Sequence, residues 1–122
     1  KVLLRKKMIT NGIDIVRVES INKIKKLSSV FTSSELEYFA SHKSIETKAG
    51  VFAAKEALLK SLGVNLSVYS ILDIEVLHNN GMPYFNFYGK LSEYIKKERL
   101  KFSLSITHDE VYAVASVVCY TI

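Results

Sequence analysis

The 122-residue chain holds one cysteine, one proline and no apolar run approaching the roughly 18 residues that a membrane-crossing helix needs. Each scarcity excludes something. Cys119 alone can make neither an internal disulfide nor a cysteine-rich zinc site, so it reads as an inert core thiol in a reducing compartment. Without an apolar span the expectation is a soluble domain with no membrane partner. Equally missing are a glycine-rich phosphate loop, a Ser-His-Asp order, His/Cys metal spacing, internal repeats and linkers. What remains is a chain that is 48% apolar, enough for one globular core, and that carries a net charge of +5. That charge points to an anionic partner: nucleic acid, an acidic protein surface or a phosphorylated small molecule. The basic opening KVLLRKK reads as an N-terminal extension, a cloning remnant or the end of a trimmed targeting segment, so the domain is expected over residues 8–122.

Residues 8–18, MITNGIDIVRV, are β-branched and alternating, which predicts a strand interrupted by Gly12 and Asp14. Gly12 would permit a close backbone approach. Ile21, Ile24 and Leu27 recur at helical spacing and leave Lys23, Lys25 and Lys26 to solvent, predicting a short basic helix. Thr32 and Glu35 form a capping-box pattern flanked by Phe31 and Leu36, so a helix should run to about Phe39. A long helix follows from near Ser44 to Gly63, a natural left-handed stop. The period then changes to two. Strands are expected over 71–78 and 83–88 around NNGM, and over 102–107 and 111–120 around HDE. Between the pairs, 91–99 should be an amphipathic helix with Tyr94 and Ile95 inward and Lys96 and Lys97 outward. The order β-α-α-α-β-β-α-β-β implies an α+β single domain, an antiparallel sheet packed on the long central helix. The last strand, VYAVASVVCYTI, is apolar at almost every position, so both its faces call for burial and a neighbouring subunit is a natural cover.

Three charges on the long helix lack an obvious surface role. In VFAAKEALLKSLG one side is apolar and the other small, so both sides can pack and Lys55, Glu56 and Lys60 need partners. Taken alone, Glu56 and Lys60 at four-residue spacing also read as an exposed ion pair worth about 0.3–0.5 kcal/mol. Asp14 lies within an apolar strand, GIDIV, where it is either a satisfied structural acid or one of two carboxylates that, with a phosphorylated substrate, suit magnesium. His108 ends a strand at a turn, where it is either a turn residue or a donor to phosphate. His42 and His78 lack comparable neighbours and read as surface.

In order and spacing, GIDIVRVESI, AGVFAAKEALLKSLG, GMPY and SITHDEVYAVASVV resemble the holo-acyl-carrier-protein synthases, the small trimeric branch of the 4′-phosphopantetheinyl transferases. The resemblance spans nearly the whole domain from Met8 onward. It implies transfer of 4′-phosphopantetheine from coenzyme A to a serine of apo acyl carrier protein, releasing adenosine 3′,5′-bisphosphate, for fatty acid synthesis. It further implies Asp14 and Glu56 as ligands of Mg2+, with Mn2+ as a substitute, and Asp14, Glu56 and Lys60 as the catalytic set. Coenzyme A would meet Lys55, Lys60, Gly81, Pro83, Thr107 and His108 near Tyr84, with Lys55 directed to a phosphate or a carboxylate. The proton acceptor stays open between a carboxylate and a water near Glu56. Arg17, Lys23, Lys25 and Lys26 would meet the acidic carrier, and the assembly would be a homotrimer with sites at subunit interfaces. Two departures stand out: Val51 and Met82 occupy positions where relatives carry arginine and lysine, which bears on the coenzyme's 3′-phosphate. A catalytically impaired relative that only binds carrier or coenzyme is the competing reading. A nucleic-acid module is disfavoured because YFNFY contains no Arg or Lys. The abundance of Lys, Ile, Asn and Tyr points to an AT-rich genome, hence a bacterial cytoplasm or a plastid-type organelle such as an apicoplast.

Overall fold

The computed structural model describes residues 7–122, so most of the 1–7 extension lies outside the described residues. Three strands form one antiparallel sheet, ordered β1 (Ile9–Arg17), β5 (Tyr112–Thr121), β4 (Leu100–His108). The hairpin of β2 (Ile74–Asn79) and β3 (Met82–Phe87) forms a second sheet. The helices are α1 (Ser33–Ser41), α2 (Ile45–Ser61) and α3 (Gly89–Glu98). The α+β class and the order of the strands are as expected, with two 3-10 turns in place of the first expected helix and one sheet resolved into two. The hairpin meets the larger sheet through rings: Phe87 and Phe85 of β3 lie 5.3 and 6.1 Å from Phe102 of β4. The same packing turns part of YFNFY inward.

Local chemistry sets the boundaries. Thr32 and Glu35 close their capping box at the start of α1, and Ser44 caps α2. Gly63, at φ 71°, ends α2 in a paired C-terminal motif in which Gly63 N–H donates to Lys60 O and Val64 N–H to Leu59 O. Asn80 and Gly81, at φ 51° and 79°, make the two-residue turn whose twist suits a hairpin. The predicted basic helix at 21–27 is instead two 3-10 turns, Val18–Lys23 and Leu27–Ser29. Ser20 and Ser29 hydroxyls donate to the carbonyls of Arg17 and Lys26, and such local bonds compete with a continuous helix. On α3 the buried stripe is Leu91 and Ile95, whereas Tyr94, expected inward, is 40% exposed.

Helix α2 lies across the sheet with small residues at the contact, Ala53, Ala54 and Ala57 all fully buried. Gly12 makes that approach possible. A Cβ there would sit 2.0 Å from the Ala57 carbonyl oxygen. The register puts Ala113, Ala115, Val117 and Cys119 of β5 beneath α2, fully buried. On the opposite face, Ile13 and Ile15 of β1 are 62% and 63% exposed, beside half-buried Val114 and Val118.

Candidate active site

Alternation along β1 sends Thr10, Gly12, Asp14 and Val16 towards α2, and Asp14 emerges where α2 presents Glu56 and, one turn on, Lys60. The Lys60 ammonium lies 3.1 Å from Asp14 Oδ1 and 3.1 Å from the Ile13 carbonyl oxygen. The Asp14 carboxylate is mostly covered, 15% exposed, while Lys60 reaches solvent. Glu56 is half-buried, and burial pushes its carboxyl above the usual range; the negative charge of Asp14 adds to this and Lys60 opposes it. The arrangement therefore holds two mutually repelling acids and a solvent-reaching ammonium at an open edge. Such a pair favours a proton or a cation, and a lysine there can meet an anion.

A second group gathers on the far side of α2. A cleft of about 190 Å3 is bounded by Gly81 and Pro83 of the hairpin, His108 at the end of β4, Thr47 and Val51 of α2, and His78 of β2. Three of the six residues expected at coenzyme A, Gly81, Pro83 and His108, thus come together. Thr107 pairs with Val114 and faces the outer side of the sheet, away from His108. Lys55 does not reach the cleft either. It is fully buried, with its ammonium 2.5 Å from Glu35 Oε1 and 2.8 Å from the Val30 carbonyl oxygen. Of the two partners expected for it, the carboxylate is the one it has, and its role as a phosphate ligand is withdrawn because a wholly enclosed ammonium cannot meet a solvent-side phosphate. Burial pushes Glu35 up and Lys55 down, while their attraction and the amides of Val76 and Thr32 on Glu35 oppose those shifts.

His78 was missed as a site residue. It shares a strand face with the buried Ile74 and Val76, and that two-residue spacing was the available signal. Its ring stacks on Tyr38 at 3.9 Å, Tyr38 stacks in turn on His42 at 4.0 Å, and the His78 Nδ1 atom is buried without a hydrogen-bond partner. Burial, and then the nearby His42, lower its pKa.

The two groups face apart. Lys60 is nine residues from Val51, and Glu56 nine from Thr47, so at about 100° per residue each pair points in roughly opposite directions from the helix axis. The basic set lies elsewhere again: Lys23, Lys25 and Lys26 are exposed on the segment whose Ile21, Ile24 and Leu27 line a notch with Ile45 and Lys48. Arg17 lies over the Tyr112 ring at 5.3 Å, with a hydrogen bond to its hydroxyl at 3.2 Å.

An acid pair with a lysine thus lies on one side of the central helix of a small α+β fold, and a cleft ending in a histidine on the other. The chain belongs to the 4′-phosphopantetheinyl transferase superfamily, whose family model matches residues 11–116. It is 42% identical over 121 residues to the holo-[acyl-carrier-protein] synthase of Caldicellulosiruptor saccharolyticus, covering 91% of this chain and 96% of that one. Among solved structures it resembles the holo-(acyl-carrier-protein) synthase of Bacillus anthracis in complex with CoA (3′,5′-ADP), at TM-score 0.80 and 31% identity over 96% of this chain and 100% of that one. The Helicobacter pylori synthase in complex with coenzyme A gives TM-score 0.77 and 31% identity, covering 92% and 99%.

Proposed function

We propose that this chain transfers the 4′-phosphopantetheine arm of coenzyme A to a serine of apo acyl carrier protein, as a magnesium-dependent homotrimer serving fatty acid synthesis. The observation that carries the reading is the Asp14–Glu56–Lys60 cluster, set in a chain whose relatives of matching length are holo-acyl-carrier-protein synthases. The donor set fits magnesium. Among the described residues no group of three or more His, Cys, Asp or Glu converges to hold a metal by itself; what supports magnesium is two neighbouring carboxylates, the Glu56 carboxyl raised by burial and by Asp14, that leave water and substrate phosphate as the remaining ligands. Asp14 and Glu56 would hold the ion, which would supply charge neutralisation for the pyrophosphate.

The chain's own residues do the rest. Lys60, released from Asp14, would stabilise negative charge on the transferring phosphoryl oxygens. The carrier serine oxygen forms a bond to the β-phosphorus as the bond to the bridging oxygen breaks. The electron pair leaves with adenosine 3′,5′-bisphosphate, and the serine proton goes to the acid pair or to a water held by it. Gly81, Pro83 and His108 would receive the nucleotide. That the cleft faces away from the acid pair on its own helix supports a second copy supplying one half of each complete site, with the outer face of Ile13, Ile15, Val114 and Val118 as the surface between copies. Arg17, Lys23, Lys25 and Lys26 would dock the acidic carrier. Among the described residues no helix is long and apolar enough to cross a membrane, and the bacterial origin of the closely matching relatives favours a bacterial cytoplasm over an organelle.

One observation favours a modified specificity. Val51 is buried and, among the described residues, no Lys or Arg lines the cleft, so the 3′-phosphate would meet little fixed positive charge from them. Mass spectrometry of apo carrier incubated with coenzyme A, magnesium and the chain tests the activity, expecting a mass gain of one phosphopantetheine; no gain, with the chain folded, removes it. Replacing coenzyme A by its 3′-dephospho form tests the specificity, and a large loss of kcat/KM would restore strong 3′-phosphate recognition.

A further inference from the structure

Helix α2 and the β2–β3 hairpin are the two walls of the cleft, and no backbone ladder joins the hairpin to the rest of the chain among the described residues. Besides the Phe85, Phe87 and Phe102 rings, side chains of α1 and its N-cap join the hairpin to the rest. Glu35 Oε2 accepts the Val76 amide of β2 at 2.7 Å, and the Thr32 hydroxyl donates to Glu75 Oε2 at 2.6 Å. The other oxygen of Glu75 accepts from Asn86 at 3.1 Å and from the Tyr88 hydroxyl at 2.7 Å, carrying the connection into β3 and just beyond it. One turn after Glu35, Tyr38 stacks on His78, two residues after Val76, so one face of α1 grips one edge of β2 twice. What fixes Glu35 is Lys55. Its ammonium takes the remaining Glu35 oxygen and the Val30 carbonyl, and Lys55 stands one turn from Val51, the α2 residue on the opposite cleft wall.

Resting on the transferase reading above, we infer that Lys55 and Glu35 are positioning residues for the nucleotide end of coenzyme A: their buried ion pair sets the hairpin wall against the α2 wall. Burial alone does not call for charges here, since a well-packed apolar pair is commonly as stable as a buried ion pair. What the ion pair adds is direction. Glu35 has each carboxylate oxygen committed, one to Lys55 and the Thr32 amide, the other to the Val76 amide, so hairpin and helix cannot shift relative to each other without breaking a buried bond. The pair bonds to none of Asp14, Glu56 and Lys60: Lys55 precedes Glu56 in the chain but points about 100° away from it, into the core, while Lys60 bonds to Asp14 and the Ile13 carbonyl. It should therefore govern nucleotide affinity and leave the chemical step alone.

The test is the double variant Lys55→Met with Glu35→Gln, which removes both charges together and leaves an amide oxygen for Val76. Titrations of adenosine 3′,5′-bisphosphate and of coenzyme A, steady-state kinetics and hydrogen exchange at the Val76 amide are measured on the folded oligomer. The expected result is a rise of about tenfold or more in both dissociation constants and in KM for coenzyme A, with kcat at saturating coenzyme held and Val76 exchanging faster. Unchanged affinities, or a fall in kcat at constant KM, would overturn the inference. Should the double variant not fold, the unsubstituted chain decides: saturating coenzyme A must slow exchange at Val76 more than at amides of β1, and equal slowing overturns the inference. An unsubstituted chain that binds coenzyme A and transfers its arm while these outcomes fail sinks the positioning role alone; one that neither binds nor transfers sinks the transferase reading beneath it.

Discussion

Lys55 and Lys60 lie five residues apart on one helix, and their surroundings could hardly differ more. The Lys55 ammonium is sealed among Glu35, Val30 and the face of Phe31, 5.4 Å from that ring's centre, with every partner in place before any ligand arrives. Lys60 ends in solvent, bonded to Asp14 while Glu56, one turn back, has its carboxyl pushed up by burial and by Asp14. One cluster is closed and satisfied, the other open and short of a positive charge. A helix can carry both because residues five apart point about 140° away from each other, so one reaches the core and the other the edge of the sheet. A charge complete within the fold serves architecture; a charge left incomplete is available for chemistry.

Removing an acid from the open cluster should give the largest effect on activity. Asp14→Ala and Glu56→Ala are expected to lower kcat/KM by about a thousandfold or more, with Glu56→Ala melting no lower than the parent because it relieves a repulsion. Near-normal turnover in either, by carrier mass shift, would erase the distinction between the clusters. The closed cluster should respond in the opposite currency: Lys55→Met alone strands the Glu35 carboxylate and is expected to lower stability by about 3–5 kcal/mol in urea titration. A loss under about 1 kcal/mol would mean that the pair is not behaving as a buried charge pair. Lys60→Ala should leave stability nearly untouched while raising the barrier by about 2–4 kcal/mol, one lost charged donor in the transition state; an unchanged rate would return it to an ordinary surface ion pair.

A subtler measurement separates the clusters by pH. The Glu56 carboxyl is raised, so in the ligand-free protein it contributes stability that is fully present below its ordinary value of 4.5 and is lost as pH rises through the shifted one. A divalent cation competes for the same carboxylates. The increase in Tm caused by magnesium should therefore grow as pH rises from 4.5 through the raised value and disappear in Glu56→Gln. An increase that is flat with pH would place the metal elsewhere. Smallest of all, carrier affinity should weaken with salt as the Debye length falls below about 8 Å, and more weakly once Lys23, Lys25 and Lys26 are glutamates.

The strand order, the Thr32–Glu35 cap, the Gly63 stop, the turn within NNGM and the small side of α2 were legible beforehand, because each rests on backbone conformations and periodicities confined to a few neighbouring residues. The conflict at Asp14, Glu56 and Lys60 was legible too, since an acid in an apolar strand and charges on a helix that packs on both sides disagree with their surroundings wherever the chain goes, but a structural acid and an exposed ion pair stayed open until the family resemblance joined the three. The 3-10 turns of the basic segment were not, because serine hydroxyls decided between two conformations that share the same apolar spacing. Nor was the partner of Lys55. Sequence alone determined that this lysine needed an anion; only the packing of α1 against α2 and β2, which brings Glu35 within 2.5 Å, decided that the anion is a carboxylate of the core. The same holds for His78 and for the opposed halves of the site. Which way a strand face or helix stripe points relative to distant elements depends on contacts across tens of residues, and no local pattern contains them.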